Sequence, residues 1–237
     1  MNYPGGKNGG GAYQTIINQM PPHEVYIEPF LGSGAVLRAK RPAIASIGID
    51  RDAACIAAFP RTESMQLLCG NALDHLKDWR ASTEGTNTTT LIYCDPPYLR
   101  STRRSQSPIY QYEFWEEDEH RSLLAVLRES GAMVILSGYA SKLYNELLPD
   151  WRTLTYNAIT RGGTMAKETL WMNYPEPLEL HDYRFLGKNF RERERIKRQK
   201  ARWLARLQRM PTTQRYAFFE VITELREGGS RIDARRK

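Results

Sequence analysis

The feature that most limits what this chain can fold into is the run Leu91-Ile92-Tyr93-Cys94, followed at once by Asp95-Pro96-Pro97-Tyr98. A short apolar run reads as a buried parallel strand, and two prolines cannot continue a central strand. In an open α/β sheet, chemistry gathers just past the carboxyl ends of the strands, where Asp95 and Tyr98 would stand. The rings of Pro96 and Pro97 fix φ and remove two N–H donors, so the corner is stiff. It offers acceptors and one flat ring but few donors. Such a corner suits a planar group that brings its own N–H donors, such as the exocyclic amine of a base.

The rest of the chain alternates in the same manner. The run from Val25 to Val36, Val25-Tyr26-Ile27-Glu28-Pro29-Phe30-Leu31-Gly32-Ser33-Gly34-Ala35-Val36, reads as a strand, a tight Gly-rich turn and then a helix reaching about Lys40, in outline a nucleotide-binding first βα turn. Only Gly-x-Gly is present, which is a weak signal alone. Ile44–Ile49 is a second strand ending at Asp50, and Gln66–Cys69 a third ending at Gly70-Asn71. Beyond the corner come an amphipathic helix over 116–130, a strand over 132–138, a short helix over 141–148 and a hairpin-like strand pair, 151–158 and 168–174. The N-terminus is glycine-rich (Gly5-Gly6-Lys7, Gly9-Gly10-Gly11) and leads into a helix that stops at Pro21-Pro22. The fold class is therefore α/β, with a Rossmann-like sheet.

Two carboxyl-end residues carry double readings. Asp50 is placed to hydrogen-bond a ribose diol, or to cap the helix that begins near Asp52. Asn71 can edge a ligand, or form an Asx-turn opening the helix 73–79. The segment Leu99–Trp115 interleaves Arg100, Arg103 and Arg104 with Tyr110, Tyr112, Phe114 and Trp115. Basic and aromatic side chains so mixed suit phosphate contact and base stacking.

Composition excludes several classes. With 237 residues and 41% hydrophobic content the chain can bury one ordinary core. No stretch approaches the roughly 18 apolar residues of a membrane span. The N-terminus lacks the basic and apolar regions of a signal peptide, so a cytoplasmic location is expected. Cys55, Cys69 and Cys94 are odd in number and widely spaced, and the four histidines show no ligand spacing. Neither a disulfide framework nor a metal is expected. The net charge of +7 is uneven: residues 183–237 hold 17 Lys+Arg against 6 Asp+Glu, and residues 1–182 are net negative by 4. A basic tail of this kind points to a polyanion, most often nucleic acid. Pro175–Pro177 reads as the boundary between a catalytic domain, 1–177, and a basic helical extension, 178–237. In the extension, a helix over 189–210 with seven basic residues between 191 and 202 precedes a second over 213–226 that ends at Gly228-Gly229. Such a hairpin is equally suited to gripping DNA and to pairing with a second copy.

Taken in order, Gly5-Gly6-Lys7, Glu28-Pro29-Phe30-Leu31-Gly32-Ser33-Gly34, the acid Asp50, Asn71 and Asp95-Pro96-Pro97-Tyr98 resemble motifs X, I, the ribose acid, III and IV of DNA adenine N6-methyltransferases. The resemblance is to the D12 class of bacterial and phage adenine methylases and covers about residues 3–175. It implies S-adenosylmethionine as cofactor, contacted by Tyr3, Lys7, Glu28, Phe30, Gly32, Gly34, Asp50, Asn71 and Asp95. It implies a catalytic group of Asp95, the Pro96 carbonyl and Tyr98. The two acceptors would hydrogen-bond a target amine and localise its lone pair, while Tyr98 would stack on the base. The chain departs from the bacterial pattern in one respect. Only Ala72–Cys94 separates Asn71 from Asp95, too short for the recognition domain found there in that group. Recognition is then expected of 99–115, of the loop 160–164 with Arg161, or of the basic helix over 191–209.

The expected function is site-specific transfer of a methyl group to a flipped-out adenine in duplex DNA, in a phage or restriction-modification setting. An RNA adenine N6- or DNA cytosine N4-methyltransferase shares the same corner. A nucleic-acid-binding protein with a weak catalytic core is the reading from another class; the intact Gly32, Asp50, Asp95 and Tyr98 weigh against it.

Overall fold

The computed structural model describes residues 6–83, 85–103, 107–108, 110–114, 116–159 and 164–233, with side chains as far as Glu227. In chain order the elements are α1 (Ala12–Ile17), β1 (Val25–Glu28), α2 (Ala35–Ala39), β2 (Ala45–Asp50), α3 (Ala53–Ala58), β3 (Met65–Cys69), α4 (Ala72–Thr83), β4 (Thr90–Cys94), α5 (Glu117–Glu129), β5 (Met133–Gly138), α6 (Lys142–Leu147), β6 (Arg152–Ile159), β7 (Met165–Met172), α7 (Phe190–Arg209) and α8 (Thr212–Asp233).

The strands form one seven-stranded sheet in the order β3-β2-β1-β4-β5-β7-β6. Neighbours from β3 to β5 are parallel, and β7 runs antiparallel to both β5 and β6. The expected Rossmann-like sheet is thus the one that forms. From β1 the chain moves outward through β2 and β3, then returns to place β4 on the other side of β1. The reversal opens a crevice between the carboxyl ends of β1 and β4, the usual ligand position in such sheets.

Every residue of β4 is buried, and its side chains alternate between two cores. Leu91 and Tyr93 join one with Tyr26, Ile135, Leu170 and Met172. Ile92 and Cys94 join the other with Ile27, Val134, Leu136 and Trp171. Two-sided burial is why these strands read as continuous apolar runs rather than alternating ones. Each core supports the crevice from one face of the sheet.

Local signals set the boundaries. α5 begins with a capping box in which Glu116 and Glu119 satisfy each other's backbone N–H groups. Its first turn carries Glu117, Asp118 and Glu119, and its last turn Arg128, a distribution that favours the helix dipole at both ends. Asn189 caps α7 by accepting from Glu192 N at 3.0 Å.

The chain divides into two compact units, 1–186 and 187–237. The first unit therefore runs nine residues past the boundary expected at 177. The reason is local: Asp182 is buried and accepts from Arg41 N at 2.8 Å, His181 stacks on His23 at 3.8 Å, and the Phe185 carbonyl accepts from Asn18 Nδ2 at 2.7 Å. The second unit holds α7 and α8. No residue of α7 is buried. α8 runs through Gly228-Gly229, where its end was expected, to Asp233. Glycine costs a helix about 1 kcal/mol relative to alanine and does not by itself stop one. Among the described residues no helix is long and apolar enough to cross a membrane.

Candidate active site

The turn after β1 is built by two left-handed glycines, Gly32 (φ 49°) and Gly34 (φ 60°), a conformation that L side chains avoid. Asp50, at the end of β2, fixes that turn. One carboxylate oxygen accepts from Gly32 N at 2.7 Å and the other from Asp52 N at 2.8 Å. Burial raises its pKa above the ordinary aspartate range, against the pull of those N–H groups. Each oxygen retains a second lone pair, so the carboxylate can still accept from a diol. Asp50 is thus a brace for the turn as well as an acid that lines the cavity in the crevice. Gly34 has a different task from the one expected. A Cβ there would lie 2.1 Å from the ring of Phe59, so its hydrogen serves helix packing behind the turn.

The crevice holds a cavity of about 330 Å³. Of the expected cofactor residues, Lys7, Glu28, Phe30, Gly32, Asp50, Asn71 and Asp95 line it, and Gly34 does not. Tyr3 lies outside the described residues. Asn71 accepts from Leu73 N at 3.0 Å, so the Asx-turn reading and the cavity-edge position both hold for it. Glu28 is buried, and its Oε2 accepts from the Tyr26 hydroxyl at 2.7 Å and from Leu37 N at 3.1 Å. Burial pushes its pKa up to about 8, which makes it a neutral wall near pH 7.

The outer wall is the stretch 110–114, expected to face nucleic acid. Phe114 is buried against Phe30 at 5.2 Å, and Tyr110, Tyr112 and Glu113 line the cavity. Arg103 is turned inward as well. Its guanidinium pairs with Glu113 at 2.8 Å, with side chains 6% and 12% exposed, so it braces this wall rather than presenting itself outward. Arg100 is exposed in a short 3₁₀ turn. Arg104, Trp115 and Arg161 lie outside the described residues. His120 on α5 anchors the wall from beneath. The Phe114 carbonyl can only accept, so the ring hydrogen sits on Nε2 (2.9 Å), and Nδ1 accepts from the Tyr144 hydroxyl (2.7 Å). Burial lowers the His120 pKa to about 4 and keeps it neutral.

Asp95 follows β4 directly and is the centre of a buried charge cluster. The Lys7 ammonium lies 3.1 Å from Asp95 Oδ1 and 3.0 Å from Glu168 Oε2, and donates to the Tyr98 hydroxyl at 2.6 Å. Glu168, on β7, also accepts from the Tyr156 hydroxyl at 2.7 Å. Burial would strip Lys7 of its proton, but Asp95, Tyr98 and Glu168 outweigh it and hold its pKa well above the lysine range. Burial lifts Asp95 to about 6, with Lys7 opposing and Glu168 adding to the rise. Glu168 goes the other way: Lys7 and two tyrosine hydroxyls overcome its burial and lower it. Tyr98 is half-buried, with the Tyr139 ring at 4.6 Å and Lys7 at 5.1 Å from its centroid. Neither Tyr98 nor Pro96 lines the cavity. Two residues at the site had no sequence signal. Glu168 is one, and the other is Tyr93, whose buried, unpartnered hydroxyl borders the cavity. The Tyr93 hydroxyl was hidden because a tyrosine in an apolar run counts as core.

The residues present fit S-adenosylmethionine. There is an acid with free lone pairs for a ribose, an apolar and aromatic wall for a base, and an unmet hydroxyl at Tyr93. The chain was compared with known proteins. Residues 72–164 match the family model of the D12 class N6 adenine-specific DNA methyltransferases. No curated sequence matches. Among solved structures the chain is similar to the N-methyltransferase NodS of Bradyrhizobium japonicum (8% identity, TM-score 0.46, covering 68% of this chain and 93% of that one). It is likewise similar to human methyltransferase-like protein 13 in complex with SAH (14%, TM-score 0.41, 78% and 85%). The family match runs over a stretch that contains Asp95-Pro96-Pro97-Tyr98, the corner where Asp95 meets Lys7 and Glu168.

Proposed function

We propose that the protein methylates N6 of adenine in duplex DNA, with the base rotated out of the helix into the corner at Asp95. The observation that carries this reading is the Asp95 carboxylate, which lines the cavity at the carboxyl end of β4 in a side chain only 18% exposed, with Oδ1 facing the Lys7 ammonium at 3.1 Å. A base inside a duplex cannot reach so recessed an atom, whereas an extruded one can. S-adenosylmethionine supplies an electrophilic methyl group when bound. Asp95 and the Pro96 carbonyl accept the amine hydrogens, which favours a tetrahedral nitrogen with a localised lone pair. Positioning supplies much of the rate, and Asp95 acts as acceptor rather than strong base. With its pKa near 6, Asp95 is ionised at neutral pH and loses acceptor capacity below that value. The half-buried Tyr98 ring, in edge contact with Tyr139 and with its hydroxyl accepting from Lys7, supports a role in holding the corner and Lys7 in place of the stacking platform first expected. Duplex DNA is supported by the family description and by the strongly basic second unit.

Asp95→Ala is the test. The variant should lose methyl transfer by at least about 10³-fold while binding cofactor within a few-fold of the parent, as a positioned acceptor contributes on that scale. Retained transfer in that variant would remove the assignment.

A further inference from the structure

The sheet register brings a second carboxylate to the corner. Cys94 pairs with Leu136 across β4 and β5, and Gly138, the last residue of β5, pairs with Thr169 of β7. Because β7 runs antiparallel, Glu168 emerges at the carboxyl edge of β5, beside the strand that delivers Asp95. Across the hairpin it pairs with Tyr156, whose hydroxyl holds it. The Lys7 ammonium lies between the two acids, 3.1 Å from one and 3.0 Å from the other. It therefore stands where a substrate N–H must come to reach Asp95 Oδ1.

We propose that Glu168 is a positioning residue that receives the Lys7 ammonium when a substrate amine takes Asp95 Oδ1, so that Lys7 balances the corner at rest and withdraws towards β7 on substrate binding. The inference rests on the methyltransferase reading of Asp95. A buried ammonium does not leave one carboxylate without a second within reach, because a buried charge left unpaired is strongly unfavourable. Glu168 is that second acid, already in contact, so the transfer of Lys7 needs only a small shift of a flexible side chain. Tyr98 stays with the ammonium throughout, its hydroxyl within hydrogen-bonding reach of both acids.

Two measurements test this. The first is a pH titration of the Asp95 carboxyl carbon by NMR in the ligand-free protein and in Glu168→Gln. The groups facing Asp95 are Lys7 from the N-terminal segment, Tyr26 and Glu28 from β1, Tyr93 and Cys94 from β4, Tyr98, Tyr110 from the outer wall, Tyr144 from α6, Tyr156 from β6 and Glu168 from β7. Removing the Glu168 charge leaves Lys7 to Asp95 alone, so the Asp95 midpoint should fall. An unchanged or higher midpoint overturns the proposal, whatever becomes of the methyl-transfer reading.

The second is a double-mutant cycle on kcat. Glu168→Gln should lower kcat roughly tenfold with cofactor affinity held, because Lys7 then stays on Asp95. In a Lys7→Met background the same change should be neutral or favourable, since it removes only a repulsion between two acids. An equal loss in both backgrounds would mark Glu168 as merely structural and overturn the proposal. If the parent protein transfers no methyl group, the reading of Asp95 fails by itself, and the titration still decides whether Lys7 is shared.

Discussion

At the scale of single residues, the site is a set of buried groups whose charges are set by neighbours rather than by water. His120 shows this outside the catalytic corner. Its pKa is lowered to about 4 from 6.5 by burial, so between those values the unfolded chain binds a proton that the folded one refuses. Stability from His120 is therefore full above pH 6.5 and is lost as pH falls towards 4. A shift of this size amounts to on the order of 3 kcal/mol. Glu28, raised to about 8, acts in the opposite sense between 4.5 and 8, so the effect is read as a difference. Denaturant unfolding of the wild type and of His120→Gln, which keeps a donor for the Phe114 carbonyl, should show the wild-type advantage shrinking across pH 6.5 to 4. A constant difference would contradict it. Arg103 gives a second case. Arg103→Met removes the guanidinium beside the recessed Glu113 carboxylate and should destabilise the protein, by about 1–3 kcal/mol for a lost charged hydrogen bond. It should weaken cofactor binding yet leave the salt dependence of DNA binding unchanged. A phosphate contact would instead reduce that slope by about 0.9.

At the scale of elements, the strand–turn–helix around Gly32 and Gly34 does two jobs with two glycines. Gly34→Ala adds roughly 1–2 kcal/mol for the left-handed backbone and roughly 1–3 kcal/mol for overpacking against Phe59. Thermal unfolding should show that loss, and Phe59→Leu should recover the packing part while the backbone part stays. Four of the five parallel strands were legible because each is an apolar run that ends at or just before a residue with chemistry: Glu28, Asp50, Asn71, Asp95. The motifs are local, so their order sufficed to name the corner. What sequence could not give is what depends on contacts across the sheet. Glu168 sits among the buried residues of β7 with no flanking motif, and only the antiparallel register carries it to Asp95. Arg103 and the 110–114 stretch were read as an outward surface because arginines and tyrosines look alike whether they face DNA or brace a wall. Burial alone separates the two, and burial here is decided by Glu113 and His120. The helix 212–233 outran its expected stop because two glycines weaken a helix without ending it.

At the scale of the whole molecule, charge and chemistry are divided between the two compact units. The first carries the sheet, the cavity and the acids; the second, residues 187–237, holds 16 Lys+Arg against 6 Asp+Glu, a net of +10. A chain ended after Leu186 should keep its cooperative unfolding and its cofactor affinity. It should lose most of the salt-dependent part of its DNA affinity, measured as the slope of log K against log salt. An unchanged slope would assign DNA binding to the first unit.

The most direct test of the central claim is methyl transfer from labelled S-adenosylmethionine to unmethylated duplex DNA, with single-stranded DNA and RNA in parallel, followed by digestion to nucleosides. The account predicts label in N6-methyladenosine's deoxy form from the duplex, abolished by Asp95→Ala. Label confined to RNA, or on cytosine, would contradict the proposed substrate, and no label in any nucleic acid would contradict the proposed function.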